Sequence, residues 1–163
     1  MIALYIGGVK SGKSKLAEAR SLKLSSRPTY LATSEIIDDE MKQRVDKHKE
    51  QRKENFELLE EPLKLAEVLQ EQKGVVLVEC LSMWINNMLY YKRSKEAILD
   101  EVEAVLSQSG DRVFVLNDVG SGVIPLDALS RTFVDLSGII AQMIAAQAEE
   151  VYHCIAGIAT RIK

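Results

Sequence analysis

The sequence predicts an α/β fold in which helices cover both faces of a mostly parallel sheet. Short apolar runs of strand length alternate along the chain with longer segments of helical periodicity. Strands that are separated by helices pair in parallel, and their connecting helices pack on the two faces of the sheet. The 163 residues are 47% hydrophobic and 28% charged, with three prolines, which is an ordinary composition for one globular domain. We therefore expect a single domain spanning residues 1–163.

Each predicted element follows from its pattern of apolar residues. Continuous apolar runs predict buried strands at Ala3–Ile6, Thr29–Ala32, Val75–Val78, Val113–Leu116, Val151–Ala156 and Ala159–Ile162. Helical spacing predicts helices over Lys13–Leu24, Asp39–Glu54, Leu63–Gln72, Leu81–Leu106 with a break near Arg93, and Leu129–Glu149.

Charge and apolar patterning exclude several classes of protein. The chain has 21 basic and 24 acidic residues and a net charge of -3, which argues against binding of nucleic acid or of an anionic membrane surface. The N-terminus lacks a basic leader, and no apolar run reaches the roughly 18 residues of a membrane span. We expect no membrane span and a cytoplasmic protein. Cys80 and Cys154 lie in apolar runs, which indicates buried thiols.

Residues 7–14 form a phosphate-binding motif. They fit G-x-x-x-x-G-K-[ST] and lie between the first predicted strand and the first predicted helix. In such a loop the backbone N–H groups and the helix N-terminus bind phosphate, the lysine reaches the β- and γ-phosphates, and the hydroxyl binds Mg²⁺. The motif therefore predicts a P-loop nucleotide-binding domain, with Mg²⁺ as cofactor and with nucleotide contacts at Gly7, Gly8, Val9, Lys10, Ser11, Gly12, Lys13 and Ser14.

Two acidic residues end predicted strands and are candidates for the same site. Ligands of such folds bind beyond the carboxyl ends of the strands. Glu79 follows Val78 and would bind Mg²⁺ or its water together with Ser14; the alternative is a surface acid or a helix cap. Asp118 follows the next strand, and a structural role is an equal alternative for it. Gly120 stands where an N-K-x-D motif needs aspartate, so guanine recognition of that type is not expected.

A histidine lies between two arginines in the predicted helix over residues 39–54. At about 100° per residue, His48 shares one helix face with Arg44 and Arg52. An imidazole nitrogen can attack phosphorus, and flanking guanidinium groups can stabilise phosphoryl oxygens. The alternative is that the arginines pair with neighbouring acids and that the histidine is structural. His153 lies within a predicted strand, where a structural role is expected.

Taken together, these segments resemble the bifunctional adenosylcobinamide kinase/adenosylcobinamide-phosphate guanylyltransferases of cobalamin biosynthesis. The similarity covers nearly the whole chain. It is carried by the loop at 7–14 with Lys15–Glu18, and by Tyr30–Ser34, Asp38–Met41, Arg44–His48 with Arg52, Glu60–Leu63, Glu79–Leu81, Asn117–Pro125 and Ala156–Lys163. Three positions depart from the usual family pattern. Lys47 precedes His48 where some members have two adjacent histidines, Asp118 replaces glutamate, and Ala141 replaces asparagine.

The resemblance implies two reactions. A nucleoside triphosphate, ATP or GTP, phosphorylates a side-chain hydroxyl of the corrinoid adenosylcobinamide, and GMP is then transferred from GTP to that phosphate. It implies a RecA-like sheet, a homotrimer and a covalent GMP adduct on His48, with Lys13 as the catalytic lysine of the loop. Beyond the loop, it implies nucleotide contacts at Thr33, Ser34, Lys49, Glu50, Gln51, Arg52, Glu60 and Glu79. Two alternatives stay open at this point: a P-loop kinase of another small alcohol, and a nucleotide-binding regulatory module without catalysis.

Overall fold

The computed structural model describes residues 1–35 and 54–163, and these residues form one seven-stranded sheet with helices on both faces. The strands are β1 (Ile2–Gly7), β2 (Thr29–Ala32), β3 (Glu57–Glu60), β4 (Val76–Glu79), β5 (Arg112–Asn117), β6 (Glu150–Ile155) and β7 (Ile158–Arg161). The helices are α1 (Lys13–Leu24), α2 (Leu65–Glu71), α3 (Leu81–Tyr90), α4 (Lys95–Leu106) and α5 (Ala128–Gln147).

The strand order β3-β2-β4-β5-β1-β6-β7 places β1 near one side of the sheet, with β5 between it and β4. All neighbouring strands are parallel except β6 and β7. These two form a hairpin whose turn residues, Ala156 and Gly157, have positive φ angles of 52° and 80°, as a tight two-residue turn requires. Because β1, β2, β4 and β5 run parallel, their carboxyl ends lie together along the same end of the sheet.

Alternation along the strands divides the core into two layers. Leu4 and Phe114 pack with apolar residues of α2 to α5 on one face of the sheet. Their neighbours Ala3 and Val113 pack on the opposite face with Ala17 of α1. Because successive strand residues point to opposite faces, an unbroken apolar run is needed where both faces are covered. The predicted mostly parallel sheet with helices on both faces is confirmed.

The structure adds one strand to the predicted elements. The strand β3 was not expected, because Glu57-Leu58-Leu59-Glu60 is too short and too charged to stand out as a buried run. The predicted break near Arg93 is confirmed, since residues 81–106 form the two helices α3 and α4, and Ser94 caps the second by accepting a hydrogen bond from the Ala97 N–H at 3.2 Å. Most of the predicted helix over residues 39–54 lies outside the described residues.

Two smaller expectations concern the cysteines and the membrane. Cys80 and Cys154 are both free thiols, and Cys154 is fully buried. Of the helices that the structure describes, none has the length and apolar character needed to cross a bilayer.

Candidate active site

The phosphate-binding loop joins β1 to α1, as the motif predicts. The Ser11 N–H donates to the Gly8 carbonyl at 3.2 Å, and the ammonium of Lys13 donates to the same carbonyl at 3.1 Å. Lys13 is 7% exposed, so its charge lies inside the loop. The buried Ser11 hydroxyl makes no hydrogen bond to the described residues. The loop therefore presents a buried cation and a hydroxyl donor to an anion.

Two glycines are required by the way the loop meets the C-terminal hairpin. A Cβ on Gly7 would lie 2.4 Å from the carbonyl oxygen of Cys154, and one on Gly12 would lie 2.9 Å from the Cα of Gly157. Gly12 also has a φ of 90°, which side-chain-bearing residues rarely adopt. The Gly157 N–H donates to the Ser11 carbonyl at 2.8 Å. The turn between β6 and β7 thus supports the phosphate loop from behind.

Ser14 and Glu79, which the sequence predicts as oxygen ligands of Mg²⁺, lie side by side. The Ser14 hydroxyl donates to Oε1 of Glu79 at 2.7 Å, across from α1 to the end of β4. Mg²⁺ is typically held by one or two protein oxygens together with phosphates and water, so this pair fits a magnesium site beside the phosphate loop. In the two described ranges, no cluster of three His, Cys, Asp or Glu side chains could hold a metal by itself.

Thr33 ties the ends of β2 and β4 together. It is completely buried, and its hydroxyl donates to the Cys80 carbonyl at 2.7 Å and accepts from the Cys80 N–H at 3.1 Å. The Asn87 amide donates to the Thr33 carbonyl at 2.7 Å. The peptide bond between Glu79 and Cys80 is cis. Thr33 therefore braces the backbone that carries Glu79, and its side chain lies behind the site.

A cavity of about 520 Å³ adjoins the loop, a size that suits a nucleotide-sized ligand. One wall consists of loop and α1 residues, and the other consists of the ends of β2, β3 and β4. Seven predicted site residues line it: Lys10, Gly12, Lys13, Ser14, Ser34, Glu60 and Glu79. Burial raises the pKa of the Cys80 thiol, also in this lining, to about 11, and the Glu79 carboxylate adds to the rise. Cys80 is thus protonated at neutral pH.

Other predicted residues lie outside this lining or outside the described residues. Gly7, Gly8, Val9 and Ser11 belong to the loop without lining the cavity, and Thr33 lies behind it. The segment predicted to carry the covalent histidine and its arginines lies outside the described residues. It includes Arg44, His48, Lys49, Glu50, Gln51 and Arg52.

The apolar lining of the cavity was not predicted from the sequence. Tyr30, Leu58, Leu59 and Met83 line it beside the polar residues. The ring of Tyr30 meets Phe56 edge-on, with ring centroids 5.7 Å apart. A short, charged strand such as β3 gives little sequence signal, and its parallel pairing with β2 is a contact between distant segments. That pairing is what brings Glu60 and its apolar neighbours to the cavity.

Asp118 and His153 come from the two strands that pair with β1, since Asp118 follows β5 and His153 lies in β6. The Asp118 N–H donates to the Gly7 carbonyl at 2.9 Å, and the Asp118 carboxylate lies 3.9 Å from Nε2 of His153. The Ser121 hydroxyl donates to the same carboxylate at 3.1 Å. His153 is paired within the sheet between Ile6 of β1 and Thr160 of β7, and its side chain is 40% exposed and lies outside the core.

Comparison with known proteins gives consistent matches along the whole chain. Residues 3–162 match the family described as cobinamide kinase / cobinamide phosphate guanyltransferase. The bifunctional adenosylcobalamin biosynthesis protein CobP of Pseudomonas aeruginosa is 36% identical over 167 residues, covering 98% of this chain and 96% of that protein. The bifunctional adenosylcobalamin biosynthesis protein CobU of Escherichia coli is 34% identical over 182 residues, covering both chains completely.

A solved structure supports the fold. The flagellar accessory protein FlaH from Methanocaldococcus jannaschii superposes with a TM-score of 0.51 at 12% identity, covering 99% of this chain and 77% of that one. At this identity the likeness concerns the fold alone. Together with the phosphate loop between β1 and α1, it confirms the predicted P-loop fold with a mostly parallel sheet.

Proposed function

Because this chain belongs to the cobinamide kinase / cobinamide phosphate guanyltransferase family, it is a kinase and guanylyltransferase of cobalamin biosynthesis, and we propose that one phosphate site serves both reactions while His48 carries GMP. The family assignment disfavours both alternatives raised by the sequence, a kinase of another small alcohol and a regulatory module without catalysis. The observation that carries the proposal is the phosphate loop with its Ser14–Glu79 pair, opening on a cavity of about 520 Å³. ATP or GTP and the corrinoid adenosylcobinamide are the substrates.

Lys13 is proposed to stabilise the negative charge of the γ-phosphate during phosphoryl transfer. Its buried ammonium lies within the loop, against the Gly8 carbonyl, where charge on a γ-phosphate would be stabilised more strongly than in water. Ser14 and Glu79 would hold Mg²⁺ through their adjacent oxygens. When bound, the cation neutralises charge on the β- and γ-phosphate oxygens.

GMP transfer is proposed to proceed through His48. A nitrogen of its imidazole attacks the α-phosphorus of GTP, the N–P bond forms, the bond to the β-phosphate oxygen breaks, and pyrophosphate leaves. The phosphate of adenosylcobinamide phosphate then displaces the imidazole and takes the GMP. Arg44 and Arg52 would stabilise the phosphoryl oxygens.

The described residues that precede this segment support its assignment to the site. Ser34 lines the cavity, and Glu35 follows it immediately before the segment begins. The Glu35 carboxylate accepts a hydrogen bond from the Tyr91 hydroxyl at 2.7 Å. The chain therefore enters the His48 segment from the wall of the nucleotide cavity. From the family resemblance, Lys49, Glu50 and Gln51 are proposed as further nucleotide contacts, together with Glu60, which lines the cavity.

Two properties beyond the chemistry are proposed from the family resemblance. The enzyme is expected to form a homotrimer, which sedimentation equilibrium would measure directly. It is expected to act in the cytoplasm, where nucleoside triphosphates are available as substrates.

The covalent step is tested with GTP radiolabelled at the α-phosphorus. Wild-type protein should acquire a label that is lost in acid and stable in base, as a phosphoramidate is. His48→Ala should remain unlabelled while still phosphorylating adenosylcobinamide. The matched control is His153→Ala, which removes the other histidine of the chain and should label normally. A folded His48→Ala protein that still acquires the label would refute the role of His48.

A further inference from the structure

We propose that Asp118 is the catalytic base of the kinase reaction, which holds the acceptor hydroxyl of the corrinoid and takes its proton as the oxygen attacks the γ-phosphorus. The inference rests on the proposed use of the phosphate loop for phosphoryl transfer. Asp118 is not a part of the nucleotide cavity described above. Three observations point to this role: the position of Asp118, the accessibility of its carboxylate, and the different positions of the other strand-end acids.

Asp118 is held beside the first residue of the phosphate loop. In the pairing of β1 with β5, Gly7 lies opposite Asn117, and the N–H of Asp118 continues this ladder by donating to the Gly7 carbonyl at 2.9 Å. Neighbouring strands lie about 4.8 Å apart. The backbone of Asp118 therefore lies about one strand spacing from Gly7, the first residue of the loop that would hold the γ-phosphate.

The carboxylate is accessible and lies among weak partners. Its side chain is 28% exposed. Its Oδ2 accepts a hydrogen bond from the Ser121 hydroxyl at 3.1 Å, and the imidazole of His153 is 3.9 Å away. The neutral Ser121 hydroxyl orients the carboxylate, whereas the imidazole lies beyond hydrogen-bond distance, and neither gives the strong charge pairing of arginine or lysine. A substrate hydroxyl can approach a group in this setting.

The other described acids at this edge of the sheet have different positions. Glu79 faces the cation site, because its Oε1 accepts the Ser14 hydroxyl at 2.7 Å. Glu60 ends β3, which is separated from β1 by β2, β4 and β5. Among the strand-end acids in residues 1–35 and 54–163, Asp118 is thus the one that follows β5, the strand paired with β1 on the side of β4.

A second cavity, lined from Val119 onward, lies next to Asp118 and could take the acceptor. Residues 119–125 and the first turns of α5 enclose this cavity of about 330 Å³, which includes Val119, Ile124 and Arg131. Val123 is 96% exposed and Ile124 is 77% exposed. A corrinoid has apolar ring faces and polar amide arms. A partly apolar surface with polar groups beside the carboxylate matches such an acceptor better than it matches a second nucleotide phosphate.

The step balances without any further reactant. The acceptor O–H bond breaks and its proton moves to the Asp118 carboxylate, while the hydroxyl oxygen forms a bond to the γ-phosphorus. The bond between the γ-phosphorus and the bridging oxygen breaks, and its electron pair stays on the departing nucleoside diphosphate. Asp118 then returns the proton to solvent.

Asp118→Asn tests the proposal, because it keeps the shape and an oxygen acceptor for Ser121 while removing the base. We expect kcat for phosphorylation of adenosylcobinamide to fall about 10²- to 10⁴-fold, the contribution typical of a general base. The KM for nucleotide should change by less than about threefold, since ground-state binding is unaltered. Guanylyl transfer to preformed adenosylcobinamide phosphate should be retained, which separates this result from a failure of the proposed function.

Three further variants keep the test decisive. Asp118→Glu retains a carboxylate and should lose less than tenfold in kcat, a smaller effect than loss of the base. If Asp118→Asn does not fold, formate added to Asp118→Ala should restore phosphorylation. The control His153→Gln should keep its kinase kcat. The proposal is wrong if Asp118→Asn retains wild-type kcat, if both reactions fall together, if formate gives no rescue, or if His153→Gln loses as much activity as Asp118→Asn.

Discussion

Replacing Thr33 with valine should destabilise the protein by removing the brace between β2 and β4. Valine is close in shape to threonine but lacks the hydroxyl. The substitution breaks the 2.7 Å bond to the Cys80 carbonyl and the 3.1 Å bond from the Cys80 N–H. The Cys80 N–H is then left without its partner beside a fully buried side chain, whereas the Cys80 carbonyl loses one bond and still accepts the N–H groups of Met83 and Trp84 at 3.1 and 3.2 Å.

The size of the effect follows from these two bonds. The unsatisfied Cys80 N–H costs about 1–3 kcal/mol and the lost bond to the Cys80 carbonyl costs about 0.5–1.5 kcal/mol, so the variant should lose about 1.5–4.5 kcal/mol of unfolding free energy. For a chain of this length, each kcal/mol lowers the melting temperature by roughly 2–4 °C. A loss of about 3 kcal/mol therefore corresponds to a fall of roughly 6–12 °C. Thr33→Ser keeps the hydroxyl, loses one methyl group and should cost about 1 kcal/mol.

Thermal unfolding followed by tryptophan fluorescence measures both variants. The single tryptophan, Trp84, is completely buried, and its indole N–H donates to the Leu63 carbonyl at 2.8 Å. Its emission therefore reports loss of the core. The reasoning would be refuted if Thr33→Val and Thr33→Ser melted at the same temperature. Weakened nucleotide binding with unchanged stability would instead show that Thr33 contacts the nucleotide directly.

Two other substitutions test the phosphate loop and its cation site. Glu79→Gln removes one negative charge from the predicted magnesium site and keeps its shape, so kinase activity should require more Mg²⁺; an unchanged Mg²⁺ titration would contradict the assignment. Gly12→Ala forces a Cβ to within 2.9 Å of Gly157 at a φ of 90° and should cost about 1–3 kcal/mol. Gly8→Ala meets nothing within 4 Å, so its melting temperature without nucleotide should match that of the wild type.

The sequence predicted those parts of the site that depend on neighbouring residues. The motif at 7–14 places its own lysine and hydroxyl, because a strand, a loop and a helix N-terminus follow one another directly. The position of Glu79 at a strand end is likewise visible as an acid after an apolar run. Its 2.7 Å contact with Ser14 follows once the sheet is parallel.

Contacts between distant segments could not be predicted in this way. No local pattern indicates that the Thr33 hydroxyl bonds to the backbone of Cys80, and the family resemblance indicated a nucleotide contact there instead. The order of the strands in the sheet also could not be predicted from the sequence, although this order places β5, which precedes Asp118, next to β1. The predicted roles of His48, Arg44 and Arg52 remain predictions.

The support that the C-terminal hairpin gives to the phosphate loop affects the order of events during synthesis. Gly12 packs against Gly157, and Ser11 accepts its N–H, although these residues come from opposite ends of the sequence. A nascent chain presents the loop well before the hairpin. The loop therefore lacks its backing until the hairpin has been synthesised, and we expect nucleotide to stabilise the chain through this loop only after the hairpin has closed against it.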